Sequence, residues 1–141
     1  FDPAGQERIT SASASKWLDY TIYEQGSDHA LTALKAAGWH IMATVADETS
    51  RSLYDYAFAD LPQLAVLVGN ERHGLSQTAV KLADAHVYIP MVGMTRSFNV
   101  SVATAIILAE ITRQRNASGG DFTLDAAQAD ALVYEYIKRD R

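Results

Sequence analysis

The sequence has no cysteine. That excludes a disulfide framework, a thiolate zinc site and a cysteine nucleophile, and it makes the cytosol the natural compartment. No stretch approaches the roughly 18 consecutive apolar residues of a membrane span. Positive charge is not in excess either: 12 basic residues face 17 acidic ones, a formal charge of −5. A net acidic chain is a poor generic partner for nucleic acid, although a local basic patch can work inside an acidic total. The basic residues that gather do so late, at Arg113, Arg115, Lys138, Arg139 and Arg141, and the last three read as a solvated tail. Internal repeats are lacking, and His29, His40, His73 and His86 have no metal-ligand spacing. Phe1-Asp2-Pro3 is neither a signal peptide nor an initiator, so further residues are expected upstream.

What is present is a chain of 141 residues, 48% of them hydrophobic, enough for one globular domain. Its pattern alternates. Ser27 can cap a helix to about Ala37, closed by Gly38. Trp39 to Ala46 reads as a strand, and Leu53 to Phe58 as a short helix. The apolar run Leu64-Ala65-Val66-Leu67-Val68 suits a strand buried on both faces. Ser76 can cap a helix to about Asp84, and His86-Val87-Tyr88-Ile89 is a strand stopped by Pro90. Asn99 can cap a long helix to about Arg115, and Thr123 a last one through about Arg139. Strands alternating with helices predict an α/β domain with a mainly parallel sheet flanked by helices. Ligands of such sheets bind in the loops after the strands' carboxyl ends. That rule points at Gly69 to Leu75 and at Pro90 to Asn99.

The first of these segments is Gly69-Asn70-Glu71-Arg72-His73-Gly74-Leu75-Ser76. Glycine directly after a buried strand lets backbone turn or approach a ligand closely. The segment lacks the ending of a P-loop and the three glycines of a dinucleotide fingerprint, and an ordinary strand-to-helix turn has the same composition. The second runs from Ile89-Pro90-Met91-Val92-Gly93-Met94 through Ser97-Phe98-Asn99-Val100-Ser101-Val102-Ala103. Apolar, adaptable side chains beside backbone polar groups suit a flat heterocycle or a thioether, while Met91 and Met94 equally suit core filling. Asn99 reads either as a plain helix cap or as a polar group turned to a ligand. The helix after it is apolar on nearly every face, which predicts burial all round, partly against another subunit.

Both segments in this order, each after a strand, resemble the second and third motifs of the SpoU branch of the SPOUT RNA methyltransferases. Gly93-Met94, Arg113-Gln114-Arg115-Asn116-Ala117, Ser15-Lys16-Trp17 and Ile41-Met42-Ala43-Thr44 are similar to the TrmH type, the tRNA guanosine-2′-O-methyltransferases. The likeness runs from about Ile9 to Ala117. It implies a methyltransferase domain over 1–118, with 119–141 as a helical extension. It implies a trefoil-knotted SPOUT fold, a homodimer and S-adenosylmethionine as methyl donor. It implies RNA as substrate, a tRNA D-loop guanosine first and a ribosomal or anticodon-loop ribose second. By the same resemblance Thr44, Gly69, Asn70, Ile89, Met91 and Phe98 would line the cofactor pocket. Glu71, Ser97 and Asn99 would be the catalytic polar residues nearest the reaction. The family's first motif, an asparagine and a catalytic arginine on an early helix, is not found here; Gly5-Gln6-Glu7-Arg8 has an arginine without its surroundings. The chain is therefore expected to start after that motif. A dimeric module that holds cofactor or RNA without catalysing is the competing expectation.

Overall fold

A computed structural model of the chain describes residues 18–70, 72–94 and 97–139. Tyr23–Phe122 form one compact unit, and the described residues outside it belong to a second. The first unit is α/β. Its sheet has four strands, β1 (His40–Thr44), β2 (Arg51–Ser52), β3 (Leu64–Leu67) and β4 (Ala85–Tyr88), in the order β2-β4-β1-β3. Every pairing is parallel. Three helices accompany it: α1 (Ser27–Ala36), α2 (Gln77–Leu82) and α3 (Val100–Ser118).

The centre of the sheet follows from β1. Ile41, Met42 and Ala43 are consecutive and wholly buried. Since neighbouring residues of a strand point to opposite faces, both faces of the sheet must be covered. On one side Ile41 packs with Leu31 of α1 and Ala79 of α2. On the other, Met42 joins Leu53, Phe58, Val87 and, from α3, Ile107 and Ile111. Truncating a core residue such as Met42 to alanine costs about 2–5 kcal/mol. β3 is less enclosed than its composition suggests: its four residues are half-buried, because it is an edge strand among the described residues.

Some local expectations change. Gly26, at φ 90°, is the residue before α1, and Ser27 is its first residue rather than its cap. The strand expected over Trp39–Ala46 is shorter, His40–Thr44. The segment Leu53–Phe58 is not a helix. The chain makes the two-residue strand β2, a 3₁₀ turn at Leu53–Asp55 and an extended Tyr56. That turn drops Leu53 and Phe58 into the core, so apolar spacing there reflects burial without a helix. The caps at Ser76 and Asn99 form as expected. Ser76 Oγ accepts from Ala79 N at 3.1 Å, and Asn99 Oδ1 from Ser101 N at 2.9 Å. α3 runs on to Ser118 and ends on Gly119 at φ 69°, the left-handed conformation in which glycine is least strained.

In the second unit, α4 (Ala126–Arg139) starts later than Thr123 suggests. Asp125 Oδ1 accepts from Gln128 N at 2.8 Å, and Gln128 Oε1 accepts from Asp125 N at 3.3 Å, the reciprocal pair of a capping box.

The carboxyl half of α3 fastens the stretch after β2. Gln114 Nε2 donates to the Tyr56 carbonyl and Gln114 Oε1 accepts from Phe58 N, each at 2.9 Å. Arg115 donates to the Leu61 carbonyl, and its guanidinium lies 4.8 Å above the Phe122 ring. Glu110 is buried and takes two bonds from Arg113, at 2.7 and 2.8 Å. It takes a third, at 2.8 Å, from Gln114. These donors, Arg113 first, hold its carboxyl down at about 2. α3 is not enclosed all round within this chain: Val102 and Leu108 are 46% and 51% exposed. No described helix is long and apolar enough to cross a membrane.

Candidate functional site

A cavity of about 600 Å³ opens where the strand-end rule points, past the carboxyl ends of β1, β3 and β4. Thr44, Gly69, Asn70, Ile89, Met91 and Phe98 line it, together with Ser97 and Asn99. Residues from three separate strand ends thus meet in one place. Glu71 lies outside the described residues. Met94 is fully exposed and fills no core.

The loop after β3 is shaped by its glycines. A Cβ on Gly69 would lie 2.5 Å from the backbone of Gly74, so only glycine fits without displacing the loop. Asn70 N donates to the Gly74 carbonyl at 3.1 Å and Gly74 N to the Asn70 carbonyl at 2.8 Å. Asn70 Oδ1 accepts from Arg72 N at 2.9 Å. The loop is therefore closed on itself, with Gly69 backbone laid along the cavity.

The opposite side is built from the segment before α3. Asn99 Oδ1 accepts from both the backbone N and the hydroxyl of Ser101, at 2.9 and 2.6 Å. Its acceptor end is thereby fixed. Val100, Ala103 and Ile107, spaced three and four apart on one helical face, continue the wall into the core. Thr44 Oγ1 donates to the Leu67 carbonyl at 2.7 Å, tying β1 to β3 at the cavity floor. Its hydroxyl can still accept a bond but has no second proton to give.

Sequence reasoning did not assign Val45, Ala46, Val68, Tyr88, Val100, Ala103 or Ile107, all of which line the cavity. A signal existed for several: Val45-Ala46 and Val68 are the first residues past β1 and β3. No charged side chain is among the described residues that line it. The site offers backbone groups, three hydroxyl-bearing residues, two amides and an apolar wall. It suits a flat, amphiphilic ligand of several hundred Å³, anchored mainly by backbone.

The SpoU rRNA Methylase family matches this sequence over residues 3–109. The tRNA (guanosine(18)-2'-O)-methyltransferase of Thermus thermophilus is 36% identical over 131 residues, covering 93% of this chain and 64% of that protein. Among solved structures, the Aquifex aeolicus TrmH/SpoU tRNA modifying enzyme superposes with a TM-score of 0.69 at 34% identity. That match covers 79% of this chain and 57% of the other. The SpoU methyltransferase AviRb of Streptomyces viridochromogenes, in complex with AdoMet, gives 0.51 at 37% identity, over 63% of this chain and 35% of its own. The chain thus spans less than two thirds of the length of each relative.

Proposed function

This chain belongs to the SpoU rRNA methylase family, and from that premise we propose that it serves S-adenosylmethionine-dependent 2′-O-methylation of an RNA ribose, on tRNA and at a D-loop guanosine. The observation that carries the proposal is the convergence of the Gly69–Gly74 loop and the Ser97–Asn99 segment on one cavity. The substrate comes from the kinship with tRNA guanosine methyltransferases. The cofactor comes from kinship with a family member that carries AdoMet. Tests of fit favour the same cofactor. The cavity, at about 600 Å³, is of ligand size. Gly69 presents backbone where any side chain would collide. Ile89, Met91 and Phe98 supply apolar surface for a base.

S-adenosylmethionine, when bound, supplies a methyl group on a positively charged sulfur, which a ribose 2′-hydroxyl can displace. The residues here do the holding. Asn99, with Oδ1 pinned by Ser101, is assigned the positioning of the ribose or of a catalytic group. Ser97, exposed at the mouth, positions the same ribose. Neither is a base at neutral pH, so these two align the hydroxyl rather than deprotonate it, and alignment is itself a large part of such a rate. Glu71 is assigned the holding of its loop or of a basic partner. The lack of charge among the described lining residues leaves a sulfonium unopposed and its loss of charge unpenalised.

The proposal includes a homodimer with the family's knotted backbone. Phe98, Val102 and Leu108 are exposed apolar residues that a second subunit would cover. It also places the protein in the cytoplasm, with its RNA. The test is titration of S-adenosylmethionine and S-adenosylhomocysteine into the chain, with mass in solution measured alongside, followed by methyl transfer to a tRNA transcript. Micromolar binding by a dimer and transfer to tRNA support the whole reading. Binding without transfer supports a cofactor-holding module. A folded monomer that binds neither overturns it.

A further inference from the structure

The loop after β1 has to cross another strand. β1 and β2 lie on either side of β4, and both meet it at Val87, whose register partners are Thr44 and Arg51. Residues 45–50 therefore bridge β4, and the first two, Val45 and Ala46, form part of the cavity wall.

One side chain of the strand beneath fastens this bridge. His86 Nδ1 lies 2.9 Å from Asp47 Oδ2 and 2.9 Å from Thr49 Oγ1. His86 Nε2 lies 3.0 Å from the Val80 carbonyl oxygen of α2. A carbonyl only accepts, so Nε2 carries a proton. In a neutral ring Nδ1 would then be a bare lone pair against a carboxylate oxygen. The hydroxyls cannot repair this. Thr49 has one proton for both Nδ1 and Asp47 Oδ1, the latter 2.8 Å away. Ser50 has one for both the Val45 carbonyl and Asp47 Oδ1, each at 2.9 Å. The Thr49 backbone N–H serves Asp47 Oδ1 at 2.8 Å, so the hydroxyls can turn to Nδ1 and the Val45 carbonyl, but Asp47 Oδ2 then still faces the Nδ1 lone pair at 2.9 Å; a proton on Nδ1 turns that opposition into a bond.

We propose that His86 is a positioning residue for the cofactor wall: protonated, it clasps Asp47 and holds residues 45–50 across β4. Deprotonated, it opposes Asp47 Oδ2 and draws off the Thr49 hydroxyl, and the bridge that carries Val45 and Ala46 is left with the Val45 N to Val87 carbonyl bond, at 3.0 Å, and the Ser50 hydroxyl to hold it. Other charged groups surround the ring. Arg51, Tyr56 and Asp84 share with His86 a second cavity, of about 400 Å³. Tyr56 OH is bonded to His40 Nε2 at 2.9 Å, and Asp84 to Lys35 Nζ at 2.9 Å. Asp47 is the one in direct contact. Imidazoles change charge between about pH 5 and 8, so ligand binding should weaken as pH rises through that range. This consequence rests on the cofactor reading above; the clasp itself does not.

The test follows the His86 ring and the Thr49 amide by NMR through a pH titration of the chain without ligand. Binding of S-adenosylhomocysteine is then measured at about pH 6 and about pH 8.5 in the native chain and in His86→Gln. Expected are a ring and an amide that titrate together, and a ring midpoint lowered by Asp47→Asn. Binding should weaken about threefold or more at the higher pH in the native chain, and His86→Gln should lose that difference. A Thr49 amide that ignores the ring overturns the proposal, as does an unchanged ring midpoint in Asp47→Asn or an unchanged pH dependence of binding in His86→Gln. Co-titration with no binding at either pH supports the clasp and overturns the cofactor reading instead.

Discussion

Gly69 and Gly74 meet backbone to backbone: a Cβ on Gly69 would stand 2.5 Å from the Gly74 carbonyl carbon and 2.6 Å from Leu75 N. Gly69→Ala must therefore pry the loop open at the cavity, and cofactor binding should fall by about tenfold or more. Gly74→Ala meets no atom within 4 Å and suffers only from its φ of +65°, a cost of about 1–2 kcal/mol. Thermal melts beside calorimetric titrations distinguish the two: the first variant loses binding out of proportion to stability, and the second does not.

Asn99 has two duties, and two variants separate them. Asn99→Asp keeps an oxygen to accept from Ser101 and so keeps the cap, but gives up the amide N–H₂. Its melting temperature should stay near that of the native chain, while methyl transfer drops by about tenfold or more. Asn99→Ala loses the cap as well, a further loss of about 1 kcal/mol in stability. Single-turnover transfer measured together with denaturant unfolding checks both.

Among the described residues three carboxylates, Asp47, Asp84 and Glu110, are held below their ordinary values and lead the response to acid. Thr49's hydroxyl foremost holds Asp47 down at about 2, and Arg113 foremost does the same for Glu110. Both folded values lie below the ordinary carboxylate range. Their contribution to stability is therefore complete above that range, and is lost as pH falls through about 4 toward 2. Denaturant midpoints should drop below about pH 4. Glu110→Gln should flatten that drop, since one of the three depressed groups is gone.

Gln114 serves the Tyr56 carbonyl and the Phe58 amide at once. Gln114→Ala strands both in partly buried surroundings, at about 1–3 kcal/mol. Gln114→Glu keeps the acceptor for Phe58 N, loses the donor, and adds a negative charge beside Glu110. Urea unfolding should rank both below the native chain.

Leu108 is half exposed on α3, so a charge there does not disturb the core of one chain. Leu108→Glu should turn a dimer into a monomer in sedimentation while leaving the helical circular dichroism in place. A variant that sediments as the native chain does places the subunit contact elsewhere.

The α/β class was legible because β1 and β3 carry unbroken apolar runs and glycine or a polar cap stands at most transitions. Ser76 and Asn99 read correctly as caps, since each is a short polar residue directly before a helix. Ser27 and Thr123 misled, because Gly26 and Asp125 stand close by and the chain used those instead. β2 left no trace: two residues have no period. The cavity's polar residues were legible from their loops, while Val100, Ala103 and Ile107 were hidden among equally apolar neighbours on α3. The meeting of Asp47 with His86 could not be read at all, since it depends on a bridge over β4 and not on spacing along the chain.

That bridge has a consequence for the order in which the sheet can assemble. β1 pairs with β3 through residues such as Ile41 and Ala65, close enough in sequence to join early. β2 emerges before β3, yet among the described residues its only partner strand is β4, which must enter the gap between β1 and β2. As the polypeptide leaves the ribosome, Arg51 and Ser52 wait for Val87 and Tyr88 before they have anything to pair with. Such long-range closure slows folding, and until it occurs Leu53 and Phe58, just past β2, lack the Val87 side of their core.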